Sequence, residues 1–143
     1  MDLPGVQNIP TAVAVVAGAL IAADGRVLMH RRRLGTEHGG LWEFPGGKVE
    51  AGESAVAALV RELDEELGIT LDPAGLDVLA SAHEPGGRIV IDLYICRSWL
   101  GDPRCIEGEA IGWYAPGALA ALAMPPLDVP LAAALVTALA AGA

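Results

Sequence analysis

At 143 residues, 53% of them hydrophobic and 19% charged, the chain is long enough for one domain with its own core and lacks the polar composition of a disordered segment. A formal net charge of -9 with nine Lys and Arg in all excludes binding to a nucleic-acid backbone, which needs clustered cations. A small nucleotide stays open, because a divalent cation inverts the local sign of the field.

Met1 and Asp2 open a segment without the basic region of a secretory signal, and the apolar runs Ala12 to Ala23 and LAAALVTALAAGA fall short of the roughly 18 residues of a membrane span. A soluble, cytoplasmic protein is expected. Cys96 and Cys105 are too few for a disulfide framework and show no zinc spacing, so reduced thiols are the default. TAVAVVAGALIAA reads as a strand closing on Ala23-Asp24-Gly25, and RVLMHRRR as the return strand of a hairpin. Leu34 to Glu53, dense in glycine, reads as a long ordered loop of the kind that carries function. From Ser54 the period becomes helical: Val56, Val60, Leu63 and Leu67 form an apolar stripe, and Gly68 stands where a terminating glycine belongs. LDVLASAHE and RIVIDLYICRS flank Pro85-Gly86-Gly87 as a second hairpin, with Ile89, Ile91, Leu93 and Ile95 on one face. A short strand at Trp113 follows. The last helix is expected from about Leu127 to Ala141, with Asp128 ahead of Pro130 as a candidate cap.

The first helix carries RELDEELG, Arg61 to Gly68. At helical pitch Glu62, Glu65 and Glu66 share an arc of about 100° beside the apolar stripe. Taken alone, such a cluster is a solvated acidic face. A hard cation such as Mg²⁺ gives it another meaning, since such ions take oxygen ligands and bridge protein carboxylates to phosphate oxygens. Glycines just ahead of the helix allow the loop backbone to approach closely. Lys48 follows two glycines, but the G-x4-G-K-S/T pattern is absent and a P-loop is excluded.

From Gly47 the chain reads G-x5-E-x7-R-E-L-x-E-E-x-G-I, with Glu53, Arg61, Glu62, Leu63, Glu65, Glu66, Gly68 and Ile69 in register over 23 residues. This run resembles the Nudix box, and LWEFPGGKVE resembles its MutT-type branch. The resemblance implies one Nudix domain over 1–143 (box 47–69), an α/β/α sandwich with a mixed β-sheet. It further implies hydrolysis of nucleoside triphosphates to monophosphate and pyrophosphate with Mg²⁺, or Mn²⁺ as a substitute. On the matching positions, Gly46, Glu62, Glu65 and Glu66 hold metal, Glu62 is the general base, Glu53 assists it, and Arg61 holds Glu53 by a salt bridge. Glu107, six residues before Trp113, reaches the metal. Arg32 meets substrate phosphate, while Arg31 and Arg33 point to the other face by strand alternation.

Base choice is less determined. PPLDVPL places Asp128 where the guanine-specific branch has asparagine, and Phe44, with Leu41, is expected to supply a stacking wall. An amide accepts from N7-H of 8-oxoguanine while donating to O6, whereas an ionised carboxylate only accepts and suits amino groups such as cytosine N4. Asp128 as a helix cap is the competing role. GGRIVIDLY and LDVPL resemble bacterial CTP pyrophosphohydrolases. The expectation is 8-oxo-dGTP sanitation, with cytidine triphosphates as the alternative substrate, a non-catalytic nucleotide-sensing module as the alternative class, and a monomer or homodimer as the assembly.

Overall fold

A computed structural model describes residues 12–143; the reading of the N-terminus as free of a secretory signal lies outside that range. The elements are β1 (Val13–Leu20), β2 (Val27–Arg31), β3 (Trp42–Glu43), β4 (Gly46–Lys48), α1 (Ala55–Leu67), β5 (Thr70–Leu71), β6 (Asp77–His83), β7 (Ile89–Cys96), β8 (Trp99–Leu100), β9 (Ala110–Tyr114) and α2 (Asp128–Ala140). The main sheet has the order β4-β1-β7-β6. It is mixed: β1 and β7 run parallel from Val13↔Ile89 to Leu20↔Cys96, while β4 and β6 pair antiparallel at the edges.

Period-two alternation in β1 buries both faces. Val16 and Leu20 pack with Leu59, Leu63 and Leu67 of α1, whereas Ala17, Ala19 and Ile21 pack with Phe44, Leu131 and Leu135 toward α2. A sheet with apolar residues on both faces needs a helix on each. The result is the expected α/β/α sandwich. On β7, Ile91, Leu93 and Ile95 face the α2 side as their alternation predicts.

Helix α1 is built as its sequence dictates. The Ser54 hydroxyl accepts from the Ala57 N–H at 3.1 Å, and Gly68, at φ 69°, donates its N–H to the Asp64 carbonyl. Those caps satisfy one orphan group at each end. No helix among the described residues is long and apolar enough to cross a membrane.

Four expectations are corrected. β1 and β2 share only the bridge Ile21↔Val27 at their turn, because β4 and β7 occupy both edges of β1 and β2 pairs instead with β3 and β9. Leu34 to Glu53 is not all loop, since β3 and β4 lie within it and are too short to show a period. Asp128 is no cap: Leu127 holds that position without a side-chain bond, and the Asp128 carboxylate instead accepts from the Phe44 N–H at 3.0 Å. Arg33 does not turn away from Arg32, for β2 ends at Arg31 and both line one cleft.

Candidate active site

Strand β4 delivers Gly46 and Gly47 against the start of α1. A Cβ on Gly47 would collide with the Glu62 carboxylate, and one on Gly46 would collide with the Val16 carbonyl oxygen. Glycine at both positions therefore lets the β4 backbone lie between β1 and the acidic turn of the helix.

Arg61 organises the first half of the site. Its Nε and Nη2 donate to the two oxygens of Glu53 at 2.7 and 2.9 Å, Nη1 to Glu62 Oε1 at 2.9 Å, and Nη2 to the Lys48 carbonyl at 3.1 Å. Glu65, more exposed, lies 3.3 Å from Nη1. The salt bridge expected between Arg61 and Glu53 is thus a two-pronged fork. Hydrogen bonds from Arg61, with help from the Glu50 N–H, lower the Glu53 carboxyl to about 2.

Glu66 is different, because it is buried on the inner side of α1. Burial first, then the neighbouring Glu62 and Glu43 carboxylates, push its carboxyl up to about 9, while the Gly46 N–H works in the opposite direction. Its Oε2 has no hydrogen-bond partner. Two crowded carboxylates with an orphaned buried oxygen are a donor set suited to a hard divalent cation, which would supply the missing charge. Among the described residues, however, no three acidic, His or Cys side chains converge as a ready-made cage. Arg61 draws Glu62 and Glu65 toward itself, and Glu107 is tied to the site through its backbone: its N–H faces the Glu66 carbonyl at 3.4 Å and its carbonyl accepts from the His30 ring.

The cleft beside this cluster, about 430 Å³, is lined by His30, Arg32, Arg33, Thr36, Glu43, Glu107 and Gly108. A second recess of about 230 Å³ meets it at Arg32 and Glu43, and includes Val15, Ala17, Phe44, Gly46, Gly47, Ile91 and Asp128. Arg32 Nη1 holds both oxygens of Glu43 at 3.1 and 3.0 Å; burial raises the Glu43 carboxyl and Arg32 opposes that rise. Asp128 is 5% exposed. Burial, opposed by the Phe44 N–H, pushes its carboxyl up to about 7. Phe44 is 3% exposed and belongs to the core, so its amide, rather than an open ring face, marks its place in the recess. Val15 and Ile91 are the half-buried apolar walls.

Residue by residue, the structure gathers Glu53, Arg61, Glu62 and Glu65 around one guanidinium, sets Glu66 beside Gly46 and Glu62, and brings Arg32, Phe44 and Asp128 to the adjoining recess. Two members were not singled out from sequence, His30 and Glu43. Alternation along VLMHRRR carried the first signal, for His30 shares the face of Leu28, which packs toward α1.

The glycine-bordered loop and the acidic helix lie together beside a mixed sheet held between two helices. The model of the NUDIX domain matches residues 10–135, and the chain belongs to the Nudix hydrolase family. It is 38% identical over 117 residues to the CTP pyrophosphohydrolase of Escherichia coli (strain K12), covering 81% of this chain and 86% of that protein. It is 35% identical over 119 residues to the 8-oxo-dGTP diphosphatase of Haemophilus influenzae, covering 83% and 88%. The solution structure of the E. coli ORF135 protein superposes with a TM-score of 0.83 at 35% identity, covering 96% of this chain and 98% of that one. The E. coli and H. influenzae enzymes are named for hydrolysis of nucleotides, and the alternative of a non-catalytic sensing module is set aside.

Proposed function

We propose that this enzyme hydrolyses 8-oxo-dGTP to the monophosphate and pyrophosphate, with the base held in the Asp128 recess and the triphosphate in the Arg32 cleft. The observation that carries the base choice is the place of Asp128 in the wall of the recess, 5% exposed, where burial pushes its carboxyl up to about 7. A protonated carboxyl offers one O–H donor and one acceptor. It therefore presents the same pair as an amide, accepting from N7-H and donating to O6. Asparagine is not required for that pattern, provided the site keeps its proton.

Glu62 takes the proton of the attacking water, whose oxygen replaces the bridging oxygen between the α- and β-phosphorus on one of the two atoms, and the broken bond releases monophosphate and pyrophosphate. Arg61 holds Glu62 and Glu53 in place, and Arg32 meets substrate phosphate. Mg²⁺ or Mn²⁺, held by Glu62 and Glu66 with Glu65, Glu107 and the Gly46 backbone as further ligands, would neutralise the phosphate charge.

A second reading has its own support. Once ionised, Asp128 only accepts, and it then suits the N4 amino group of cytosine, in line with the resemblance to the CTP pyrophosphohydrolase. The two readings meet in one experiment: kcat/KM for 8-oxo-dGTP and for dCTP, measured from pH 5.5 to 8.5 in the parent enzyme and in Asp128→Asn. The ratio of the two cancels whatever pH does to the shared chemistry. It should fall in the parent as pH rises through about 7 and stay high and flat in Asp128→Asn, with a change of about 1 to 3 kcal/mol in relative specificity. A ratio that is independent of pH in both proteins removes Asp128 from base selection.

A further inference from the structure

The cleft and the base recess share two residues, Arg32 and Glu43, whereas Arg33 and Thr36 line the cleft alone. That division gives the site a direction. A nucleotide whose base enters the recess has its first phosphate at the shared wall, and each further phosphate reaches toward the residues that belong only to the cleft. Arg33 is the one of these with a permanent positive charge.

The two arginines are not in the same condition. Arg32 is engaged at the shared wall: Nη1 donates to both oxygens of Glu43, and Nε donates to the Glu37 carbonyl at 2.8 Å. Arg33 is exposed, and among the described residues its guanidinium has no ion-pair partner, although the chain holds 18 acidic residues against nine Lys and Arg. A guanidinium left unpaired in a cleft keeps its fork of N–H donors for an anion from outside, and phosphate oxygens match that fork.

The backbone that delivers Arg33 is fixed on both sides. Its carbonyl accepts from the Thr36 hydroxyl at 2.6 Å, and the next N–H, that of Leu34, points at Glu109 Oε1 at 3.4 Å. A Cβ on Gly39 would lie 2.8 Å from the same Arg33 carbonyl oxygen, so glycine there allows the loop to close on it. These contacts bend the chain as soon as β2 ends at Arg31, which brings Arg33 into the cleft instead of onto the opposite face.

We infer that Arg33 is a further substrate-binding residue, which grips the terminal phosphate of a nucleoside triphosphate while Arg32 holds the phosphate nearest the sugar, so that the site prefers triphosphates to diphosphates. The inference rests on the reading of the substrate as a nucleoside triphosphate with its base in the Asp128 recess. Hydrogen bonds to a charged group at the lower end of their usual strength, as suits an exposed side chain, correspond to roughly tenfold in affinity.

The test compares the parent with Arg33→Ala, Arg33→Lys and Arg26→Ala, the last removing the same charge at a surface turn outside both pockets. Two quantities are measured in Mg²⁺: the ratio of kcat/KM for triphosphate over diphosphate, with 8-oxo-dGTP against 8-oxo-dGDP and dCTP against dCDP, and the calorimetric affinity for pyrophosphate, which needs no turnover. Arg33→Ala should lower both by roughly tenfold. Arg33→Lys, which keeps the charge and loses the fork, should fall between, and Arg26→Ala should match the parent. A triphosphate preference and a pyrophosphate affinity that are unchanged in Arg33→Ala, in a parent that hydrolyses a triphosphate, overturn the role of Arg33 and leave the substrate reading standing. Equal losses in Arg33→Ala and Arg26→Ala also overturn it, because the effect then belongs to the overall charge of the chain. A parent that hydrolyses neither 8-oxo-dGTP nor dCTP overturns the substrate reading, and with it the terminal-phosphate role.

Discussion

At the scale of single residues, the arrangement around Arg61 gives a physical reason for the proposed order of Glu62 as base and Glu53 as its assistant. Glu53 is gripped by two guanidinium nitrogens and its carboxyl sits at about 2. So weak a base is poorly matched to accepting a proton near neutral pH. Glu62 receives a single bond from Arg61 Nη1 and lies against Gly47, facing the Glu66 side of the cluster. Glu62→Gln, which keeps size and hydrogen bonding, should lower kcat by roughly 10² or more with the fold retained. Glu53→Gln should cost less, because it acts on the chemistry only through Arg61. Single-turnover rates for the two variants check the order; a Glu53→Gln variant that is slower than Glu62→Gln would transfer the base to Glu53.

At the scale of elements, the two adjacent glycines of β4 should fail in different ways. A methyl group on Gly46 meets backbone of β1, including Ala17 Cα at 2.7 Å, and a strand inside a packed sheet has no room to yield. Gly46→Ala should therefore lose stability by about 1 to 3 kcal/mol, the usual range for overpacking. Gly47→Ala meets only the tip of the Glu62 side chain, which swings aside at small cost, so its melting point should stay near that of the parent while turnover collapses. Urea melts set beside kcat decide this, and equal losses of stability in both would contradict the contact pattern. The same elements show what was legible in the sequence. Helix α1 could be read closely because its stripe and its Gly68 terminator are local signals, whereas the pairing of Arg61 with Glu53 comes from the resemblance to the Nudix box. The β7 alternation was equally plain. Strand partners were not legible: Asp24-Gly25 announces a reversal of the chain, but β2 is kept off the edge of β1 by β7, which arrives parallel to β1 from 76 residues further along the chain, as in Val13↔Ile89. The competing role of Asp128 as a cap failed for a related reason, since an aspartate at a helix start looks like a cap until the Phe44 amide, 84 residues distant, is seen to occupy its carboxylate.

At the scale of the whole molecule, a chain of net charge -9 keeps two buried carboxyls whose folded values lie far above those of an unfolded chain, Glu66 at about 9 and Asp128 at about 7. The sign follows from proton counts. Between about pH 4 and these values the native state holds protons that the unfolded chain has released, so metal-free stability should fall as pH rises across that window and level off above it. A divalent cation on Glu62 and Glu66, as proposed, would reverse the preference, because it would favour the ionised Glu66 and displace its proton. The stabilisation produced by Mg²⁺ should then be larger at pH 8.5 than at pH 6, and at each pH it should follow the ratio of free ion to dissociation constant, about 2.7 kcal/mol at a hundredfold excess. Thermal and urea melts in EDTA and in Mg²⁺ at the two pH values measure both slopes. Glu66→Gln isolates the cause: it has no proton to release, so its metal-free stability should lose part of the pH slope and its Mg²⁺ increment, reduced in size, should no longer grow with pH. An increment in the parent that is equal at pH 6 and 8.5, or a Glu66→Gln variant that keeps the parent's growth, would show that the cation does not compete for the Glu66 proton and would move the metal site away from the buried end of the acidic helix.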